Sequence, residues 1–387
     1  MPNILTLNKI AKCGLDQFPA GYVCGENVDA PDAVMVRSAS LHEMALDPAT
    51  VAIARAGAGV NNIPVEACTA QGVCVFNTPG ANANAVKELV ILGLLLASRK
   101  VTEAVDWCGG LKGQGADVPG LVEKGKGAFG GPEISGKTLG LIGVGAIGGL
   151  VAGAAAALGM AVVGYDPYLS EDAKALLAPS LKLLGSAAEV IAASDYLSLH
   201  APLTPETKGS INAQSLAGAK DGLRIVNTAR ADLVNSADLL AALESGKVAA
   251  YVVDFPTDEM IGVPGVTAIP HLGASTPESE DNCAVMAARQ LTAYLECGRI
   301  ANSVNLPSTG NSTDLLQKDF ETRVCIIHEF GFDFNDASNA LAAHQPQHWN
   351  TYEGKSVGYA VLDTTGDVNP AAIEALPGVL LIRVLKG

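Results

Sequence analysis

The sequence predicts an α/β chain built on parallel sheets and closed by a smaller α+β module. Three observations predict it. Short apolar runs alternate with helical patterns over most of the chain, the signature of βαβ units. One such strand runs through a glycine-rich turn into an alanine-rich helix, KTLGLIGVGAIGGLVAGAAAALGM. Of 387 residues, 49% are apolar, 42 are Gly and only 5% are aromatic, a mix that suits close helix–sheet contacts. A chain of this length exceeds one ordinary core, so two or three domains are expected.

In chain order, AVMVRS, VAIARAG and GVCVFN read as buried strands, each stopped by Gly, Asn or Pro or by the end of its apolar run. A helix follows from Ala83 to Val101; it is apolar nearly all round and so is expected to be buried, against a partner subunit. Cys108 to Gly136 is Gly-rich and polar. After the strand–turn–helix come four strands, AVVGYD, YLSLH, LRIVNTA and VAAYVVDF, separated by helical patterns. Residues 277–297 form a helix opened by Pro277, with Glu278 and Glu280 in its first turn. A linker, NSVNLPSTGNSTDLLQ, leads to a β-α-β-α-β run: TRVCIIH, DASNALAAH, SVGYAVLD, PAAIEALP and GVLLIRVL. No internal repeat is visible.

The net charge of −15 argues against nucleic acid or an anionic membrane as partner. It leaves room for a small anionic substrate held by local Arg and Lys. The N-terminal run is too broken for a signal peptide, and VKELVILGLLLASRK is too short to span a membrane. The 8 cysteines form no CxxC pair, which fits reduced thiols in a cytoplasmic protein with no metal site.

The sharpest motif is Gly143-Val-Gly145-Ala-Ile-Gly148, set between a strand and a helix. Gly143 permits the tight turn, Gly145 lets the backbone approach a pyrophosphate, and Gly148 allows close helix–strand packing. The helix N-terminus then faces the phosphates. The next strand ends in Asp166, whose carboxylate would bind ribose hydroxyls and repel a 2′-phosphate. The segment therefore predicts a Rossmann-like domain and NAD rather than NADP.

Three polar residues stand just past predicted strands: Arg230, Glu259 and His271. Ligands of open α/β sheets bind outside the carboxyl ends of strands, so all three are placed to converge. Arg230 would grip a carboxylate or carbonyl oxygen with its planar fork. His271 would remove a hydroxyl proton as hydride leaves, and Glu259 would orient His271 and raise its pKa.

GVGAIG with Asp166, NTARADLV, YVVDFPTDE and PHLGAST, in that order, resemble the D-isomer-specific 2-hydroxyacid dehydrogenases from about Met35 to Pro307. The resemblance implies Arg230, Glu259 and His271 as catalytic residues. It implies cofactor contacts from Ala146, Ile147, Asp166, Thr228, Ala229, Asp254, Gly273 and Ala274. His200 and Pro202, in LHAPLT, match a segment near the cofactor, where His200 supports the pocket. It also implies a discontinuous, flavodoxin-like substrate domain (1–82 and 274–306) around the NAD domain (83–273), with a closing cleft hinged near residues 82 and 273. The branch that oxidises 3-phosphoglycerate to 3-phosphohydroxypyruvate, opening the phosphorylated route to serine, is the nearest in pattern. That implies Arg37, Ser38 and Asn82 on the substrate side, with Lys126 as a phosphate-binding cation. Lys126 reads equally well as an exposed charge, and Arg37 as a strand-end charge paired with an acid. Gly57, Gly59 and Val60 would present backbone N–H groups to a carboxylate; the alternative is a plain turn. Two rival functions stay open: a reductase of glyoxylate, hydroxypyruvate or lactate, and an NAD-responsive corepressor-like binding protein. A homodimer or homotetramer is expected.

After a linker at 307–318, residues 319–387 resemble an ACT domain, a ferredoxin-like regulatory module. Its first loop, His328-Glu329-Phe330-Gly331-Phe332, lacks the Asn and Pro usual there, and HQPQHWNTYEGK is unusual mid-fold. That departure implies a role in assembly, with an altered effector site as the rival.

Overall fold

The computed structural model describes residues 1–169, 171–175, 177–310, 319–344 and 349–387. The chain divides into two compact units, Met1–Asn82 with Pro277–Gly387, and Ala83–Thr276.

The first unit opens with β1 (Asn3–Leu7), α1 (Lys12–Leu15), β2 (Val23–Gly25), β3 (Ala33–Val36), β4 (Ala52–Arg55), α2 (Val65–Ala70) and β5 (Cys74–Phe76). The strands pair in parallel in the order β2-β1-β3-β4-β5, the flavodoxin-like arrangement. Alternation splits their side chains between two cores. Val34, Val36, Ile53 and Val75 face one, and Ala33, Met35, Ala54 and Phe76 face the other. The sequence reading found β3, β4 and β5 but missed β1 and β2, whose apolar content is too short to stand out.

The second unit begins with α3 (Ala83–Ser98), α4 (Val101–Gly109) and α5 (Val118–Gly125). Seven parallel strands follow: β6 (Thr138–Ile142), β7 (Ala161–Tyr165), β8 (Leu181–Leu183), β9 (Tyr196–Leu199), β10 (Leu223–Asn227), β11 (Val248–Val253) and β12 (Val266–Ala268). Their order, β12-β11-β10-β9-β6-β7-β8, is doubly wound with its switch between β6 and β9. The connecting helices are α6 (Ala146–Ala157), α7 (Glu171–Ala175), α8 (Ala187–Ala193), α9 (Ala213–Ala217) and α10 (Ser236–Glu244). Val90 and Leu94 of α3 and Val151 and Ala155 of α6 bury against Leu139, Leu141, Val226 and Val252. The opposite face carries Leu197, Leu199, Ile225 and Val253 beneath α8, α9 and α10. One expectation is corrected, since the helix from Ala83 stops at Ser98 rather than Val101. In the single chain it leaves Leu92 and Leu95 exposed at 48% and 39%. The Gly-rich stretch after Cys108 contains α5.

Helix α11 (Pro277–Cys297) returns the chain to the first unit and buries Ala284, Ala287, Leu291 and Tyr294 there. The rest folds as β13 (Thr322–Glu329), α12 (Phe334–Ala340), β14 (Asn350–Glu353), β15 (Val357–Thr364), α13 (Ala371–Glu374) and β16 (Val379–Lys386). These strands make an antiparallel sheet in the order β14-β15-β13-β16, the ferredoxin-like βαββαβ topology. Both faces of β13 are buried. Val324 and Ile326 lie under the helices, while Cys325 and Ile327 join the core that contains α11. The C-terminal sheet thus shares a core with the N-terminal sheet instead of standing apart as a third body. Residues 311–318 of the expected linker and 345–348 of HQPQHWNTYEGK lie outside the described residues. Among the described residues, no helix is long and apolar enough to cross a membrane.

Candidate active site

In the second unit, the strand register aligns Tyr165, Ile142, Leu199, Asn227, Val253 and Ala268 across the sheet. The residues that follow each of them therefore form one carboxyl rim. Gly143, Asp166, His200, Thr228 and Asp254 all stand on it, and His271 follows the end of β12.

The glycine turn behaves as its spacing demands. Gly143 has φ +90°, and a Cβ there would sit 2.8 Å from the His200 backbone. A Cβ on Gly148 would lie 2.3 Å from the Gly143 carbonyl oxygen. At Gly145 a Cβ would meet nothing within 4 Å, so the backbone there faces open space. No side chain caps α6, and its first-turn N–H groups at Ala146 and Ile147 remain for an anion. Asp166 accepts the Val144 N–H at 2.9 Å and the Tyr168 N–H at 3.0 Å, which fixes its carboxylate beside the turn.

Asn227, fully buried at the end of β10, holds the next loop. Its amide donates to the Arg230 carbonyl at 2.9 Å and to the Tyr251 hydroxyl at 3.0 Å, and its oxygen accepts the Ala229 N–H at 3.1 Å. Sequence reading passed over this residue because a strand-end Asn resembles a stop signal. The loop so held presents Thr228, whose hydroxyl is buried without a hydrogen-bond partner among the described residues.

Asp254 is 1% exposed, and neither of its carboxylate oxygens has a hydrogen-bond partner of normal geometry among the described residues. Burial pushes its pKa up to about 6, against the opposing pull of the Gly273 N–H and the Arg230 charge. A Cβ on Gly273 would come within 3.4 Å of the Asp254 carboxylate. Bare buried acceptors beside a glycine turn fit a ligand that brings amide and hydroxyl donors, as a nicotinamide dinucleotide does. His200 bonds the Ser198 hydroxyl at 3.0 Å, and desolvation pushes its pKa down to about 4, so it is neutral near pH 7. Pro202 is exposed, and its carbonyl accepts the Thr207 hydroxyl at 2.6 Å. Ala274 follows the buried Gly273 and is half-buried.

Phe255, the residue after Asp254, gathers two of the expected catalytic side chains. The His271 ring packs on it with centroids 4.2 Å apart, and the Arg230 guanidinium lies 5.6 Å from its centroid. The only sequence signal for Phe255 was its place in YVVDFPTDE. Glu259 is exposed on the 3-10 turn Asp258–Met260. Its own backbone N–H and the Ser236 hydroxyl hold its pKa below the usual carboxylate value.

The first unit carries a rim of its own. Arg55, at the end of β4, donates to the Arg37 carbonyl at 3.0 Å and to the Gly59 carbonyl at 2.5 Å. It thereby ties together the loops that carry Arg37, Ser38, Gly57 and Val60, a role the sequence reading missed. Asn8 accepts the Ser38 N–H at 2.9 Å, and Gly57 accepts the Thr78 N–H at 3.1 Å. The Arg37 guanidinium pairs with Glu280 at 2.7 Å. Asn82 is half-buried at the unit's boundary. Lys126 belongs to the second unit, where it is exposed and paired with Glu123.

Comparison with known proteins bears on this arrangement. Residues 92–273 match the profile of the D-isomer specific 2-hydroxyacid dehydrogenase NAD binding domain. Residues 92–273 thus carry the NAD-binding domain of the D-isomer-specific 2-hydroxyacid dehydrogenase family. Over 326 residues it is 36% identical to a D-3-phosphoglycerate dehydrogenase of Mycobacterium leprae, covering 79% of this chain and 59% of that protein. Over 286 residues it is 34% identical to the Bacillus subtilis protein of the same name, covering 72% of this chain and 52% of that one. The chain thus spans between half and three fifths of these two relatives' length. Among solved structures it is similar to the NAD⁺-bound 3-phosphoglycerate dehydrogenase of Entamoeba histolytica (TM-score 0.61, 25% identity, 79% of this chain and 98% of that chain). It is also similar to a glyoxylate reductase of Paecilomyes thermophila (TM-score 0.62, 26% identity, 78% of this chain and 98% of that chain). The family's NAD-binding domain is therefore the doubly wound second unit.

Proposed function

We propose that this protein oxidises D-3-phosphoglycerate to 3-phosphohydroxypyruvate with NAD. The observation that carries the reading is the grouping of Arg230 and His271 around Phe255, beside the buried Asp254 carboxylate. NAD, when bound, accepts the hydride. Gly143, Gly145 and the first turn of α6 would hold its pyrophosphate, Asp166 its ribose, and Thr228 and Asp254 its carboxamide end. Asp166 favours NAD over NADP, since a 2′-phosphate would meet its negative charge.

Arg230 holds the substrate carboxylate in its fork. His271 takes the hydroxyl proton on its ring nitrogen, and Glu259 supports the imidazolium so formed. Arg37, Ser38, Gly57, Gly59, Val60 and Asn82 are assigned to the substrate, with Lys126 to its phosphate. The exposed Leu92, Leu95, Val101 and Val105 supply the apolar surface of a homodimer or homotetramer. The 8 cysteines, all free thiols, favour the cytoplasm.

A second reading, reduction of an unphosphorylated 2-oxo acid, is favoured by one observation. Arg37 and Lys126, the two cations assigned to the substrate side, are already paired with Glu280 and Glu123. Initial rates with NAD on 3-phosphoglycerate, D-lactate, D-glycerate and glycolate decide between them. Preference for the phosphorylated acid supports the first reading, and activity only on the others replaces it with the second. NADH binding without turnover on any of them sinks both.

A further inference from the structure

The first unit contains a cavity of about 510 Å³ that the reading above does not use. One face of α11 forms its floor, with Asn282, Met286, Arg289 and Gln290 recurring at helical spacing, and Arg299 and Asn302 close its end. No acidic side chain lines it among the described residues, although the protein carries a net charge of −15.

Two of its polar side chains carry unmet valences. Gln290 is 8% exposed; its amide donates to the Asn77 carbonyl at 3.1 Å, and its oxygen is buried with no partner among the described residues. The Arg299 Nε is likewise buried with no partner among them. Each such group costs free energy until a complement arrives. The complements are opposite in kind, because the Arg299 N–H requires an acceptor and the Gln290 oxygen requires a donor. Arg289, held by two bonds to the Gln17 oxygen at 3.1 and 3.0 Å, adds a second positive charge.

We propose that this cavity binds a small oxyanion that also carries a hydroxyl, of which hydrogen phosphate is the simplest. Neither the Arg299 Nε nor the Gln290 oxygen touches solvent before binding, so the ligand draws both side chains into the cavity; its anionic oxygens then satisfy Arg299 and face Arg289, and its hydroxyl satisfies Gln290. Sulfate, which has acceptors only, binds less well.

The test is a titration of the purified protein with inorganic phosphate or sulfate at constant ionic strength, read by thermal shift and calorimetry, so that screening is common to both. The expected result is saturable stabilisation by phosphate exceeding that by sulfate. Affinity should fall at least about tenfold in Arg299→Gln, the loss of one charge-assisted hydrogen bond. The exposed Arg289→Gln should also weaken binding, and it serves alone if Arg299→Gln does not fold. Arg230→Gln should bind phosphate as the parent does. Unchanged binding in both cavity variants overturns the proposal, as does loss of binding in Arg230→Gln. Equal response to phosphate and sulfate removes the hydroxyl from it.

Discussion

The ring of Phe255 lies against the imidazole of His271, 4.2 Å between centroids at a 41° tilt, and beneath the same neighbourhood sits the Arg230 guanidinium at 5.6 Å. An aromatic ring favours a cation near it, so Phe255 steadies the protonated imidazole as well as Arg230. Phe255→Leu should lower kcat/KM about tenfold, the equivalent of one such contact. The acid-side pKa of its pH–rate profile should also fall, and Phe255→Tyr should restore both. A variant with the parent's profile would remove Phe255 from the site.

Asp254 carries a second prediction. Its folded pKa of about 6 lies above the ordinary 3.8, so the folded state holds the proton more tightly. Stability from the neutral acid is complete below pH 3.8 and is lost as pH rises through 6. Asp254→Asn removes that loss. It should melt higher than the parent at pH 8, with the advantage shrinking to nothing by pH 4, and it should bind NADH more weakly. Equal melting temperatures at pH 8 would show that the carboxylate is not strained.

His200 acts in the opposite sense over an overlapping window. Its folded pKa of about 4 lies below the ordinary 6.5, so the unfolded chain takes up a proton first as pH falls. Stability is lost from pH 6.5 down to pH 4, by at most about 1.4 kcal/mol per pH unit. His200→Asn should flatten that acid limb in denaturant midpoints measured from pH 7 to pH 4. An unchanged limb would mean that His200 is solvated in the native protein.

These predictions divide according to what the sequence disclosed. The glycine turn and the strand ends at Asp166 and Arg230 were legible because each is local: a strand, a stop and a polar residue in one short window. Asp254 came only with the family resemblance. Phe255 and Arg55 were not. Phe255 gains its place because β11 and β12 run in register, bringing residues past each strand end together. Arg55 matters because the β3–β4 register sets it beside Val36, within reach of the Arg37 carbonyl. Both facts are long-range, and a linear pattern does not contain them. Strands β1, β2, β8 and β14 escaped for another reason. Three to five residues, mostly half-exposed or flanked by polar neighbours, carry too little periodicity to register.

The C-terminal sheet carries the last prediction. Arg383 of β16 stacks 4.3 Å from the Tyr294 ring and donates to the Tyr294 and Leu295 carbonyls at 3.1 and 2.9 Å. Those carbonyls belong to the last turn of α11, where the helix dipole favours a cation. Gly298 just beyond is equally constrained, since a Cβ there would come 2.6 Å from the Cys325 sulfur. The module's sheet is therefore keyed to the helix end by charge and by shape. A module that swings freely would have neither. Arg383→Met should leave the Leu295 carbonyl without its donor, while the Tyr294 carbonyl keeps the Gly298 N–H, and destabilise the first unit by about 1–3 kcal/mol. Hydrogen exchange in β13 and β16 should then rise together with exchange at the C-terminal end of α11. Exchange that rises in β13 and β16 alone would mean the sheet and the helix are energetically separate.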